Sequence, residues 1–288
     1  MGNRGRAVTA ALSSGMRVWL VLLWLVTAGP RVAAAEPFEP AAFRVEVSGT
    51  GRPIIFIPGV ACPGSVWTDA VAHFTGYQAH VITLAGFAGV PRIEEPGISA
   101  ATVRDLARYI RDRKLDHPII IGHSHGGFIA YWLAAEEPSL VGPVISVDMS
   151  PALDGGLEEA TTLRDRWYRA SDKQAASLLS GKFYSMTGQR KRMAKTLEAI
   201  KKTDRRALGD ATYEMVMTDL RPRLPAITAP VLSIVANGGG QHRIKKRTRG
   251  IPDHRFIVVP TSAHFVWWDA PKPFFKAVDA FLAEHADK

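Results

Sequence analysis

The stretch Ile119-Ile120-Ile121-Gly122-His123-Ser124-His125-Gly126-Gly127 sets three β-branched residues before a serine bracketed by glycines. Three consecutive isoleucines suit a strand covered on both faces. Residues 126–137 carry a helical pattern that Pro138 ends. G-x-S-x-G therefore falls on a strand-to-helix turn so sharp that the serine takes strained backbone angles. Gly122 and Gly126 are small because strand and helix approach closely there. Such a turn lifts Ser124 Oγ above the sheet edge. It also aims the His125 N–H and the positive end of the helix at one point, where a negatively charged oxygen would be held.

Working outward, short apolar runs recur at residues 54–57, 81–84, 144–147, 231–235 and 256–259, and 43–47 alternates in polarity like an edge strand. Continuous β-branched runs predict strands buried on both faces. Helical patterns lie between them: residues 99–114 place Val103, Leu106 and Ile110 on one face, with Ser99 as the expected N-cap. Strands alternating with helices imply parallel βαβ units in one doubly wound, mostly parallel sheet, an α/β fold. The alternation stops after Ser150 and resumes at Ala229-Pro230. Between them, residues 154–221 show only helix-compatible stretches rich in Arg, Lys, Ala, Leu and Met, which predicts an all-helical insertion. The expected organisation is a leader at 1–35, a first core segment at 36–150, a helical cap at 151–225 and a second core segment at 226–288.

At 288 residues, with 47% hydrophobic and 22% charged, the chain has the makeup of a globular protein of one or two domains. Cys62 is its single cysteine, so an internal disulfide framework and a zinc site of several thiolates are both excluded. The net charge of +9 invites a nucleic-acid reading. The basic residues are instead scattered, with local densities at Arg190-Lys191-Arg192, Lys201-Lys202 and 243–249 and no recognised nucleic-acid motif, so solvated faces are expected and no nucleic-acid partner.

Residues 18–26 (VWLVLLWLV) are wholly apolar and too short to span a bilayer. Arg17 precedes them, Gly29-Pro30 breaks them, and Ala33-Ala34-Ala35 offers small residues for a signal peptidase. Cleavage before Glu36, export to the periplasm or medium, and no membrane span in the mature chain are expected; an N-terminal anchor is the rival reading.

With these segments in view, the sequence resembles the α/β-hydrolase superfamily over nearly all of the expected mature chain, and most closely its secreted, esterase-like members with a helical cap. Ser124 matches the family's nucleophile. Ile57-Pro58-Gly59-Val60 resembles its oxyanion turn, with Pro58 where many members have His; that match makes the Val60 N–H the second oxyanion donor beside His125. Residues 230–235 match the strand that follows the cap. Ala263-His264-Phe265 matches the histidine loop, with Ala263 in place of the usual Gly.

The resemblance implies a chain order of nucleophile, acid, histidine, and His264 lies on the last strand-to-helix loop, where the base belongs. His123 and His125 flank the serine, but residues two apart around a tight elbow point in different directions, and no carboxylate stands at ligand spacing, so no metal is expected. The family commonly packs the first of them beneath the elbow, whereas a histidine at 125 is unusual and is expected to edge the pocket. The acid is less plain. Most of the family carries it after the strand at 231–235, where this chain reads Ala236-Asn237-Gly238-Gly239-Gly240 and has no carboxylate. Some members carry it one strand earlier, and there Asp148 ends a strand 24 residues after Ser124. Asp148 is the candidate acid; a dyad oriented by Asn237 or water, and a chain that has lost activity, are the alternatives. Asp269 is too near His264 in sequence to orient it easily.

The implied chemistry is serine ester hydrolysis through an acyl-enzyme, without a cofactor. Amide, lactone or carbon–carbon hydrolysis, cofactor-free perhydrolysis, and a non-catalytic binding protein on the same scaffold stay open. Trp167, Tyr168, Phe183, Tyr184, Tyr213, Met215 and Met217 in the insertion, with Trp267 and Trp268 beside the histidine, point to a small ester or acyl substrate with an apolar or aromatic group where they line the site, and plain packing of the cap is the alternative reading of them. Cys62 reads as a small buried hydrophobe rather than a second nucleophile.

Overall fold

The computed structural model describes residues 38–95 and 97–286. The expected leader at 1–35 lies outside them. Strands β1 (Phe43–Ser48) and β2 (Arg52–Ile57) are followed by a 3-10 turn at Gly64–Trp67, α1 (Thr68–His73) and β3 (Tyr77–Leu84). Helix α2 (Ile98–Asp112), β4 (Ile119–His123), α3 (His125–Glu136) and β5 (Val144–Val147) come next. Four helices then run without a strand: α4 (Leu157–Arg169), α5 (Asp172–Ser185), α6 (Arg190–Ile200) and α7 (Arg205–Met217). The chain closes with β6 (Val231–Ala236), α8 (Gln241–Arg247), β7 (His254–Val259), α9 (Val266–Asp269) and α10 (Pro271–Glu284). All seven runs expected as strands are strands.

They form one sheet in the order β1-β3-β2-β4-β5-β6-β7, with β1 antiparallel to β3 and every other pair parallel. Alternate residues of a strand face opposite sides. Ile55 and Ile57 of β2 accordingly join a core with Val103, Leu106 and Ile110 of α2 and Phe128 of α3. Ile54 and Phe56 join the other core, with Trp67 and with Phe274, Val278 and Phe281 of α10. Each such side chain contributes roughly 1.5–3 kcal/mol of transfer free energy. Helix α3 is buried along nearly its whole length, which its apolar sequence on every side permits. The run at 256–259 departs from expectation: β7 is the edge strand, so its faces stay partly exposed instead of being covered. The strand order reverses at β2, so crossovers diverge on either side of the β2–β4 pair and leave a crevice at their carboxyl ends.

The helical insertion is fastened to the sheet layer by two carboxylates. Glu214 of α7 accepts the N–H groups of Ser99 (2.7 Å) and Ala100 (3.0 Å), two donors that the start of α2 leaves without helical acceptors. Ser99 is therefore not the N-cap. Gly97 caps the helix at φ 86°, a left-handed conformation open to glycine. A residue 115 positions away supplies the capping oxygens. Asp269 accepts from Thr187 Oγ1 (2.7 Å), the Gly188 N–H (2.9 Å) and the Ala263 N–H (3.1 Å), joining the α5–α6 turn to the loop before α9.

Burial lowers the pKa of four histidines. His125 is pushed down to about 3, His80 and His254 to about 4, and His123 well below its ordinary value. Each is kept neutral when folded, whereas the unfolded chain takes up protons near pH 6.5. Their contribution is thus complete above about pH 6.5 and is lost as pH falls towards the folded values, by up to about 1.4 kcal/mol per pH unit for each group. The expected result is a thermal midpoint that falls steeply between pH 6.5 and 5. A flat midpoint across that window in a calorimetric pH series would contradict it.

Candidate active site

Ser124 sits between β4 and α3 with φ 51° and ψ −120°. Serine rarely holds a positive φ; the strain is about 1–3 kcal/mol and persists only where neighbours impose it. The Ser124 N–H donates to the Val147 carbonyl at 2.9 Å, fixing the elbow to β5. The two motif glycines impose the rest. A Cβ on Gly122 would lie 2.1 Å from the Gly126 oxygen, and one on Gly126 would lie 2.2 Å from the Ile57 oxygen. The start of α3 is thereby pressed against the turn that leaves β2. On that turn a Cβ at Gly59 would meet Ser124 Cβ at 3.3 Å. Helix α3 begins at His125, so its first N–H groups have no helical acceptors and its dipole presents positive charge beside Ser124.

Asp148, at the end of β5, also has a positive φ of 51°. Its N–H donates to the Ile234 carbonyl at 2.7 Å, and its Oδ1 accepts the Ala236 N–H at 2.9 Å, so β6 holds both backbone and carboxylate. Oδ2 faces outward and lies 2.5 Å from His264 Nδ1. A second contact steadies the histidine loop: His123 Nε2–H donates to the His264 carbonyl at 3.0 Å. Burial, with the nearby imidazole of His264, keeps His123 neutral and able to donate at that nitrogen. The two rings lie 4.5 Å apart. Asn237 is exposed and accepts from the Gln241 amide at 3.2 Å, and among the described residues it makes no hydrogen bond to the imidazole.

Ser124, Asp148 and His264 open on one cavity of about 380 Å³, together with Gly59 and Val60 of the turn after β2. Among the described residues no hydrogen bond joins Ser124 Oγ to the imidazole; such contacts tighten when substrate binds. The insertion contributes Trp167, Leu179, Phe183, Leu208 and Met215, and the loop after β5 contributes Met149 and Leu153.

Several expected liners are elsewhere. Trp267 and Trp268 are buried in the core, where both indole N–H groups donate to the Val66 carbonyl at 3.0 and 3.1 Å. The His125 ring turns inward, fully buried, with Nε2 2.8 Å from Ser99 Oγ, instead of edging the pocket. Tyr168, Tyr184, Tyr213 and Met217 do not line the cavity. Cys62 does line it; burial pushes its thiol pKa far up, so the thiolate is disfavoured. Sequence reasoning missed three cationic liners: Lys182 of α5, and Arg243 and Arg247 of α8, both of which pair with Asp154.

Among the described residues no three His, Cys, Asp or Glu side chains are grouped as metal ligands, and no helix is long and apolar enough to cross a membrane. His123 and His125 direct their rings to different partners, the His264 carbonyl and Ser99. The expected basic densities include paired residues: Arg192 with Asp69, Lys201 with Glu198.

A strained serine on a strand-to-helix elbow, set over a parallel sheet beside a carboxylate–imidazole pair, is the arrangement of a hydrolase fold, and the chain belongs to the alpha/beta hydrolase family, whose model matches residues 54–277. Among its relatives, the N-formylmaleamate deformylase of Pseudomonas putida is 25% identical over 246 residues, covering 81% of this chain and 90% of that protein. The pimeloyl-[acyl-carrier protein] methyl ester esterase of Pectobacterium carotovorum is 22% identical over 82% of this chain and 96% of its own length. A thermophilic esterase from Thermogutta terrifontis shares the fold, with a TM-score of 0.76 and 19% identity over 87% of this chain and 100% of that one.

Proposed function

We propose that this hydrolase is a serine enzyme that cleaves carboxylic esters through an acyl-enzyme on Ser124. The observation that carries the reading is the 2.5 Å contact between Asp148 Oδ2 and His264 Nδ1, which opens on the same cavity as Ser124 Oγ. In this mechanism Asp148 holds the Nδ1–H tautomer, leaving His264 Nε2 free to take the Ser124 proton as Oγ attacks the acyl carbon. The oxyanion is received by the Val60 and His125 N–H groups. The imidazolium returns its proton to the departing alkoxide, which leaves as the alcohol. A water molecule, deprotonated by the same imidazole, then attacks the acyl-enzyme and frees the acid and the serine. No cofactor enters these steps.

Helices α4 to α7 act as a cap over the site, and their apolar liners favour a small acyl or alcohol group with apolar character. The relative named as a deformylase favours, as a second reading, cleavage at a carbon–nitrogen bond. Matched ester and amide substrates with one acyl group separate the two. A fluorophosphonate tests the nucleophile directly: a single adduct on Ser124 by intact-mass analysis is expected, and a folded protein that stays unlabelled would favour a binding protein on this scaffold.

The apolar run at 18–26 and the alanines at 33–35 support export of a mature chain starting near Glu36. N-terminal sequencing of the exported protein should read from that residue; retention of 18–26 in a membrane fraction would mean an anchor.

A further inference from the structure

Lys182 stands in the cavity of Ser124 with Leu179, Phe183 and Met186, apolar liners from the same stretch of chain. Three cations line this cavity, and two carboxylates. Both carboxylates are committed: Asp148 to His264 and the Ala236 N–H, and Asp154 to Arg243 and Arg247. Lys182 has no such partner, since among the described residues its ammonium makes no ion pair or hydrogen bond. Desolvation at the cavity wall, with the like charge of Arg166 of α4, lowers the Lys182 pKa from its usual value. Lys182 is solvent-accessible at the cavity wall, and an ammonium placed there without a counter-charge gains from an anionic ligand that completes it.

We propose that the substrate carries a carboxylate and that Lys182 receives it, making this ammonium the specificity-determining group of the cavity. The proposal rests on the hydrolase reading of Ser124 and names its substrate class: a short ester or amide whose labile bond and free carboxylate fit together within about 380 Å³. Apolar walls hold the carbon chain between the two ends. A lysine suits this task because its ammonium is a point charge on a flexible stem, able to meet a carboxylate without the fixed bidentate geometry of arginine. Arg243 and Arg247 extend the positive field at the cavity wall while Asp154 occupies them.

The test uses two fluorophosphonates of equal chain length, one ending in a carboxylate and one in its methyl ester, with the rate of Ser124 labelling followed by intact mass. The wild-type chain is expected to react faster with the carboxylate probe, by roughly tenfold to a hundredfold, the range of a charge-assisted hydrogen bond. Lys182→Gln should bring the ratio of the two rates close to one, and Lys182→Glu should invert it. Lys182 is exposed, so these variants are expected to fold, which the thermal midpoint verifies. Equal rates in the wild type, or a preference that survives Lys182→Gln, would overturn the proposal. Loss of the preference in Arg243→Gln but not in Lys182→Gln would likewise overturn the assignment to Lys182. A folded wild-type chain labelled by neither probe would sink the hydrolase reading, and this one with it.

Discussion

Replacing Ser124 with alanine is expected to lower kcat by at least about 10³-fold and to abolish fluorophosphonate labelling. The loss stops short of the uncatalysed rate because the N–H groups at Val60 and His125 and the cavity walls would still bind and polarise the acyl group. Folding should be unaffected. Oγ makes no hydrogen bond among the described residues, and the turn is imposed by Gly122, Gly126 and the Ser124 N–H bond to Val147, all of which the variant keeps. Turnover within tenfold of wild type, measured on the best ester of a panel, would place the attack elsewhere.

Asp148→Asn is expected to cost up to about 10⁴ in kcat with the fold intact. The geometry gives the reason. Asn Oδ1 can still accept the Ala236 N–H, but the amide NH₂ then takes the place of the oxygen that lies 2.5 Å from His264 Nδ1. A donor at that place forces Nδ1 to accept, which moves the imidazole proton to Nε2, the nitrogen that must receive the serine proton. Asn237→Ala should matter far less, because its side chain is exposed and engaged with Gln241. Near-normal turnover in Asp148→Asn with a large loss in Asn237→Ala would reverse the assignment.

The strands and the elbow were legible because both are local. β-branched runs announce buried strands, and a glycine-bracketed serine between a strand and a helix has few other reasons to exist. The place of Asp148 beside His264 was legible only through the family resemblance, in which some members carry the acid one strand earlier, read together with the missing carboxylate after β6. What the sequence hid was set by distant partners. Ser99 reads as a cap because nothing near it shows that Glu214 will arrive from α7 to take that role. Trp267 and Trp268 read as pocket walls, yet the Val66 carbonyl, some 200 positions earlier, draws both indoles into the core. Helix α8 follows three glycines and consists largely of basic residues, so neither periodicity nor a cap marks it. Lys182 looks like any solvated lysine on a helix until the insertion folds over the sheet and gives it a cavity to face.

The short spacing between Ser124 and Asp148 has a bearing on how this scaffold can vary. Both side chains hang from a single β4-α3-β5 unit, and the whole helical insertion enters the chain only after that unit is complete. Had the carboxylate followed β6, every lengthening or shortening of the insertion would fall between the two residues. Here it falls outside them, and only His264 must be brought back from beyond it. The loop after β6, relieved of any duty to hold the carboxylate, carries three glycines and a short basic helix that reaches the cavity wall. On the proposed mechanism, substrate range can thus be rewritten in two separate stretches of sequence that line the cavity, the insertion and the loop at 237–248, while Ser124 and Asp148 keep an unaltered frame.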